Sequence, residues 1–189
     1  MQKLILAFLL PFLFVSSLSA QEVNKSLTLG IDPLVIAVLN GFEVEAGLNL
    51  GKNRFAIEYL GAELPAAWNS QIDEFEKVSA DILEISYGRF LNSEQKGFHY
   101  GLAYSLFSNY TVENEVGESL EKDNSKLGIR LGYMWVPFKN AGFFIEPLFN
   151  FGFYLNDEDL DFGGGEVFEE RSFAGSGPVI HFGWKIPLN

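Results

Sequence analysis

The sequence lacks cysteine altogether and is poor in basic residues. Without cysteine there are no disulfide bonds and no lipoprotein anchor, so stability must come from topology and packing. Lys and Arg total 13 against 25 Asp and Glu, for a formal net charge of −12. A chain this acidic does not provide the positive surface that neutralises phosphates, which excludes nucleic acid as a partner.

Long apolar runs are also missing beyond the first twenty residues, where the longest run covers 33–39. A transmembrane helix needs about 20 predominantly apolar residues. The sequence therefore predicts no membrane-spanning helix, and any insertion into a bilayer would have to use a β-barrel.

Residues 1–20 have the composition of a secretory signal peptide. Lys3 gives a basic start, residues 4–15 are apolar apart from Pro11, and small residues lead to Ala20. This order predicts export and cleavage near Ala20. We expect one mature domain, residues 21–189, with a formal charge of −13 because Lys3 is removed.

Alternation of apolar and polar residues is the dominant pattern, and helical periodicity is nearly absent. In 126–135, for example, Leu127, Ile129 and Leu131 share one face while Gly128 and Arg130 share the other. Such alternation is typical of strands with one apolar face. Eight segments show it: 27–32, 42–50, 54–59, 83–88, 98–109, 126–135, 143–156 and 180–186.

The connections between these segments alternate in length. Those at 51–53, 92–97 and 137–142 are short and rich in turn residues, whereas 61–80, 110–124 and 156–177 are long, polar and mostly acidic. The connection 33–41 is intermediate; Asn40-Gly41 is a hairpin signal, and part of 34–39 is expected to extend the first two strands. Short periplasmic turns and long outer loops are typical of outer-membrane barrels, with both termini in the periplasm.

The composition of the two faces indicates which one points to lipid. The polar face is rich in glycine, which suits the narrow lumen of an eight-stranded barrel. The apolar face carries aromatic side chains near the ends of the short turns, as in the girdles of membrane barrels. The predicted lumen glycines are Gly30, Gly47, Gly88, Gly101, Gly128, Gly132, Gly152 and Gly183. The predicted girdle residues are Phe55, Tyr87, Phe98, Trp135, Phe143 and Trp184.

This pattern resembles the small eight-stranded outer-membrane barrels of the OmpA and OmpX type, over essentially the whole mature chain. The fold class predicted is all-β: an eight-stranded antiparallel up-and-down transmembrane barrel after a cleaved signal peptide, in the outer membrane of a Gram-negative bacterium. The alternative fold is a soluble periplasmic ligand-binding barrel, in which the same alternation would place the aromatic face inside.

Ten side chains on the polar face are candidates for an interior polar network: Glu43, Glu45, Arg54, Glu58, Glu84, His99, Arg130, Glu146, His181 and Lys185. One interpretation is a buried set of ion pairs that fills the lumen. The other is an ion path or a set of catalytic carboxylates. Five acids against three fixed bases lead to the hypothesis that some carboxylates are protonated or hydrated.

A lipid-modifying enzyme is the most specific alternative function. Lipid A deacylase barrels carry Ser and His two residues apart on one strand. Here glycine, at Gly101 and Gly183, stands two residues from His99 and His181. Since a nucleophile is missing at that spacing, no catalytic residue is assigned.

The function predicted is a structural or interaction role in the outer membrane, with long acidic outer loops and a plugged polar interior. A small porin-like pore and a lipid-modifying enzyme are the alternatives. Expected partners are outer-membrane lipid and divalent cations at the acidic loops, for which Asp157, Asp159 and Asp161 are weak candidate ligands. No cofactor is expected.

Overall fold

The computed structural model of the chain describes residues 24–63, 77–114, 116–138, 142–156, 159–163, 166–168, 173–175 and 179–188. The predicted signal peptide, residues 1–20, lies outside this range. Within it, no helix combines the length and the hydropathy needed to cross a membrane.

The described residues form one short helix and eleven strands. The helix is α1 (Pro33–Val38). The strands are β1 (Lys25–Ile31), β2 (Phe42–Leu50), β3 (Asn53–Glu63), β4 (Lys77–Phe90), β5 (Gly97–Glu113), β6 (Ser119–Met134), β7 (Phe143–Tyr154), β8 (Leu160–Gly163), β9 (Glu166–Phe168), β10 (Phe173–Gly175) and β11 (Val179–Leu188).

Eight of these strands close into an antiparallel ring, which confirms the predicted all-β barrel. Strands β1 to β7 pair in sequence order, and β11 pairs with both β7 and β1. Strand β10 continues along the edge of β7 that β11 uses. Strands β8 and β9 form a separate hairpin. Because a closed ring has no free edge, its main-chain groups satisfy one another around the circumference.

The register fixes the stagger of the barrel. A path that starts at Ile31 on β1 and passes from each residue to its partner on the next strand crosses β2 to β6. It reaches Leu155, just after β7. In the opposite direction the path leads through Phe182 to Ile145 on β7. Leu155 and Ile145 are ten residues apart, so the shear number is 10. A stagger of this kind requires strands tilted by roughly 35–45° from the barrel axis.

The polar face lines the lumen and the apolar face points outward. Glu45, Arg54 and Glu146 are buried inside the ring, while their neighbours along the strands are exposed or partly exposed. The exposed outer surface includes Leu29, Ile31, Val44, Leu48, Ile57, Ile85, Leu102, Leu127, Ile129, Leu131, Phe149 and Phe151. This orientation is the opposite of the one that a soluble ligand-binding barrel requires.

The outward aromatic side chains near the short turns contact one another across neighbouring strands. Ring centroids are 5.3 Å apart for Phe55 and Tyr87, and 4.8 Å apart for Phe98 and Tyr133. Trp184 lies 5.9 Å from Phe143 in an edge-on contact. These pairs form a girdle at the end of the barrel that carries the short turns, called the turn side below. The opposite end is called the loop side.

The apolar outer band ends on the loop side at a polar cluster. Asp81 accepts hydrogen bonds from the Tyr59 hydroxyl at 2.7 Å and from Asn109 Nδ2 at 2.8 Å. Leu83, two residues further toward the turn side on β4, is exposed and apolar. The outward surface of β4 therefore changes from apolar at Leu83 to polar at Asp81.

The prediction of a long polar loop at 110–124 is wrong, because strands continue through most of it. β5 extends to Glu113 and β6 starts at Ser119, and the turn between them is closed by a 3.0 Å bond from Asn114 N to Glu118 O. The pairing of β5 with β6 shifts register between Phe107 and Tyr110. This bulge reverses the alternation, so that Tyr110 points into the lumen instead of outward.

The prediction that part of 34–39 extends the first two strands is wrong, because this segment forms α1. Asp32 Oδ1 accepts the backbone N–H of Leu34 at 2.7 Å, and Pro33 occupies the first helical turn. An Asp N-cap followed by proline is a strong helix start. The second oxygen, Asp32 Oδ2, accepts the N–H of Ile180 at 2.8 Å, which ties the helix to β11.

The lumen glycines leave room for the side chains opposite them. An added Cβ at Gly132 would overlap the His99 ring, and one at Gly128 would overlap Asn150 Oδ1. At these two positions glycine therefore leaves room for a larger polar side chain from the neighbouring strand at the same level of the lumen.

Candidate functional site

The candidate site is a belt of charged side chains across the middle of the lumen. Alternation places Glu43 and Glu45 on the inner face of β2, and Arg54 and Glu58 on that of β3. The ionic belt is defined here as Glu43, Glu45, Arg54, Glu58, Glu84, His99, Arg130, Glu146 and His181. These side chains come from β2, β3, β4, β5, β6, β7 and β11, which is every barrel strand except β1.

Arg130 is the most connected residue of the belt. Its Nη1 donates to Glu58 Oε2 at 2.9 Å and to Glu84 Oε1 at 2.8 Å. Its Nη2 donates to Glu45 Oε2 at 2.5 Å. One guanidinium on β6 thus binds carboxylates from three other strands, and all four side chains are buried or nearly so.

Arg54 forms a second centre beside the first. Its Nη2 donates to Glu45 Oε1 and, at 2.9 Å, to Glu146 Oε2. Glu45 therefore bridges the two arginines through its two oxygens. The other oxygen of Glu146 lies 2.6 Å from His99 Nε2. These contacts connect β2, β3, β5 and β7 across the lumen.

Neutral side chains complete the coordination of Glu84. Its Oε2 accepts the Ser105 hydroxyl at 2.7 Å and the Asn150 amide at 2.7 Å, while its Oε1 binds Arg130. Both oxygens of this buried carboxylate are therefore satisfied, as burial of a charge requires.

His181, on β11, is fully buried and lies at the part of the ionic belt that contains Glu43. Its Nε2 contacts Glu43 Oε1 and lies 3.8 Å from Glu58 Oε2. Its Nδ1 lies 3.7 Å from Glu45 Oε2. Two groups in this region have ligand atoms close enough for one metal ion: Glu43 with Glu58 and His181, and Glu45 with Glu146 and His181.

The structure brings together nine of the ten predicted interior residues and separates Lys185 from them. Lys185 lies near the turn side and donates from Nζ to the backbone carbonyls of Glu94 and Gln95, both at 2.9 Å. Lys185 therefore contacts the β4–β5 connection and none of the other nine side chains among the contacts of the described residues. Since Lys185 is close to the end of β11, its long side chain reaches the neighbouring turn and not the belt.

Lys126 is a further buried cation of the lumen that is absent from the ten predicted interior residues. Lys126 is buried on the inner face of β6, with its Nζ 5.9 Å from the centre of the Phe107 ring. It stands four residues before Arg130 on the polar face, and this spacing could have identified it. The neutral partners Ser105 and Asn150 stand on the polar faces of their strands in the same way.

An apolar cluster lies in the lumen on each side of the ionic belt. Along β4 the inward residues change from Val78 and Ala80 on the loop side, through Glu84, to Phe90 on the turn side. The turn-side cap consists of Phe90, Met134 and Phe144. The loop-side cluster consists of Val35, Leu39, Leu60, Ala62, Val78, Ala80, Phe107, Tyr110, Val112 and Phe168, with Ile82 contacting both of its halves.

The connection between β4 and β5 folds under the turn-side mouth of the lumen. Gln95 is buried there and accepts the Ser26 hydroxyl at 2.7 Å, while Asn49 donates to Ser26 Oγ at 3.0 Å. Gln95 Nε2 donates to the carbonyl of Asn24 at 2.5 Å. This polar plug covers the turn-side cap.

The acidic-loop candidates do not form a described metal group. Asp157 lies outside the described residues. Asp161 Oδ1 accepts the N–H of Gly163 at 2.7 Å, which is a local turn contact. Asp159 lies in the same loop, and neither it nor Asp161 belongs to the candidate metal groups found among the described residues.

Comparison with known proteins gives one structural likeness. No protein-family model matches the chain, and no curated protein matches it. The crystal structure of Neisserial surface protein A (NspA) is similar, with 13% sequence identity and a TM-score of 0.41. The match covers 88% of this chain and 96% of NspA.

Replacement of Arg130 tests whether the belt stabilises the barrel. In Arg130→Gln, three carboxylates lose their common partner, and breaking a buried pair costs about 3–5 kcal/mol. We expect a loss of this size in the free energy of unfolding, measured by urea titration of the folded barrel in detergent. The control Arg89→Gln alters an exposed arginine that contacts Asn53 Oδ1 at 3.4 Å and should change stability little. Equal effects of the two variants would contradict this role for Arg130.

Proposed function

We propose that the chain is an outer-membrane protein of a Gram-negative bacterium whose barrel is a closed anchor and whose function lies in its outer loops. The observation that supports this most directly is the filled lumen. A polar plug, an apolar cap, the ionic belt and a second apolar cluster follow one another from the turn side to the loop side.

The same observation disfavours the small pore. Eight strands enclose a lumen just wide enough for side chains, whereas barrels of 16–18 strands leave an aqueous channel. Arg130 alone connects β6 to carboxylates on β2, β3 and β4. An ion crossing this level would have to separate buried ion pairs as well as displace the apolar layers.

A lipid-modifying enzyme is disfavoured by the surroundings of the two histidines. His99 contacts Glu146, and His181 contacts Glu43, and both imidazoles are buried in the lumen. A base that acts on lipid would have to reach a substrate on the outer surface of the barrel. Neither histidine is oriented toward that surface.

The loop side provides the surface for an interaction role. Together the segments 61–80, 110–124 and 156–177 contain 16 Asp and Glu against three Lys and Arg. Strands β5 and β6 form a hairpin there that ends at the exposed Val116. An acidic surface suits divalent cations, which also bind the phosphates of the outer leaflet, and basic patches on partner proteins. Outer-membrane lipid is the partner of the apolar band.

Planar-bilayer recordings test the closed lumen. We expect no channel openings from the folded protein, because the polar plug, the apolar cap, the ionic belt and the loop-side cluster fill the barrel. A porin of 16 strands in the same bilayer is the positive control. Regular single-channel steps from the folded protein would contradict the closed barrel and favour the pore.

The absence of cysteine makes the orientation easy to test by single-cysteine labelling. Val116→Cys introduces a thiol at the loop side, and Ser93→Cys introduces one in the β4–β5 connection at the turn side. With a membrane-impermeant maleimide, we expect labelling of the first variant on intact cells and of the second only after lysis. Labelling of Ser93→Cys but not Val116→Cys on intact cells would reverse the orientation. If neither variant is labelled, even after the cells are lysed with the protein still folded, the exposure of both sites is contradicted.

A further inference from the structure

We propose that Glu43, Glu58 and His181 form a binding site in the lumen for one divalent first-row transition-metal ion of the Zn²⁺ type. A single ligand atom from each residue lies within 4.8 Å of the other two. A zinc ligand atom lies about 2.0–2.2 Å from the ion, so two ligands of one ion are at most about 4.4 Å apart, and the group is within a small side-chain movement of that spacing. One imidazole nitrogen and two carboxylate oxygens are a donor set for zinc and similar ions, not for calcium.

Two buried polar atoms of this group lack a hydrogen-bond partner in the described structure. They are Glu43 Oε2 and His181 Nδ1, and the side chains of both residues are completely buried. Leaving such atoms unsatisfied is unfavourable, because burial removes the water that would otherwise bind them. A cation beside Glu43 would use its second carboxylate oxygen, which nothing else in the described lumen binds.

The charge of the lumen is consistent with a divalent cation. Glu43, Glu45, Glu58, Glu84 and Glu146 face Arg54, Arg130 and Lys126. If all five carboxylates are ionised and both histidines are neutral, these eight side chains carry two excess negative charges, which protons or a bound cation must balance. One divalent cation cancels them, and a buried excess charge is otherwise costly.

The surroundings of His181 fit the outer shell of a metal site. A metal-bound histidine usually directs its second ring nitrogen at a carboxylate. His181 Nδ1 faces Glu45 Oε2 at 3.7 Å, and Glu45 is itself held by Arg54 and Arg130. Glu58, with 13% of its side chain exposed, is the most accessible ligand.

The alternative group, Glu45 with Glu146 and His181, fits less well. Glu45 binds an arginine with each of its oxygens, and Glu146 binds Arg54 with one oxygen and His99 with the other. A metal ion there would displace guanidinium groups from both carboxylates. In the proposed group, Glu43 contacts no arginine among the described residues, and Glu58 binds Arg130 through one oxygen only, Oε2.

Metal content after refolding tests the site. The full mature chain is folded in detergent with Zn²⁺ or with EDTA, free metal is removed, and folded protein is identified by its gel shift on boiling. We expect about one zinc ion per folded chain by mass spectrometry, and a higher unfolding temperature than for the EDTA sample. A folded wild-type protein without bound zinc and without a thermal shift would overturn the proposal.

Variants locate the ion if it binds. Glu43→Gln and His181→Asn should each abolish zinc binding, whereas His99→Asn should retain it. His99 is a matched control, because it is the other lumen histidine, contacts Glu146 and belongs to neither candidate metal group. Zinc that persists in folded His181→Asn, or disappears in His99→Asn alone, would contradict the assignment. If neither ligand variant folds, the wild-type zinc content still decides the proposal.

Discussion

The lumen of an eight-stranded barrel must be filled by the side chains of its own strands, and every charged group in it must find a partner there. Bulk water cannot relieve an unpaired charge at that level, so the pairing has to be built into the register of the strands. Arg130 meets this requirement most fully, since it binds carboxylates on β2, β3 and β4 at once. Its contacts hold strands together that are not neighbours in the ring.

The other features of the lumen are consistent with this constraint. Glycine at 132 and 128 provides the volume that His99 and Asn150 occupy. Apolar layers on both sides of the belt keep its ion pairs away from the two mouths of the barrel, where water would weaken them. The outward face carries aliphatic side chains between an aromatic girdle and the polar cluster at Asp81, which is the pattern expected of a face that contacts lipid.

Much of the barrel could be predicted from the sequence because a strand has a period of two. Alternation identifies all eight strands and divides the residues of each between two faces, and the glycine and aromatic content of those faces indicates which one is inward. It fails at 110–124, where the bulge after Phe107 reverses the phase, and at α1, where the cap formed by Asp32 outweighs the hairpin signal of Asn40-Gly41. In both places one local feature, a bulge or a helix cap, changes the structure that the following residues adopt.

Alternation predicts which residues enter the lumen, but not at which level they meet. Levels depend on the stagger between strands, which the register sets and the sequence does not display. For this reason alternation places Lys185 on the same face as the ionic belt, although its side chain lies at another level and contacts the β4–β5 connection. The particular partners of Arg130, His99 and His181 likewise required the register to be known.

Quenching of tryptophan fluorescence by lipid tests most directly whether the apolar face contacts the bilayer. Trp135 and Trp184 are 53% and 59% exposed on the outer surface of the barrel. Trp68, which lies outside the described residues, is replaced by Phe so that these two report alone. In vesicles of lipids with brominated acyl chains, we predict strong quenching of the folded protein and little quenching by acrylamide in the water. Strong quenching by acrylamide with none by brominated lipid would contradict a membrane-facing apolar surface.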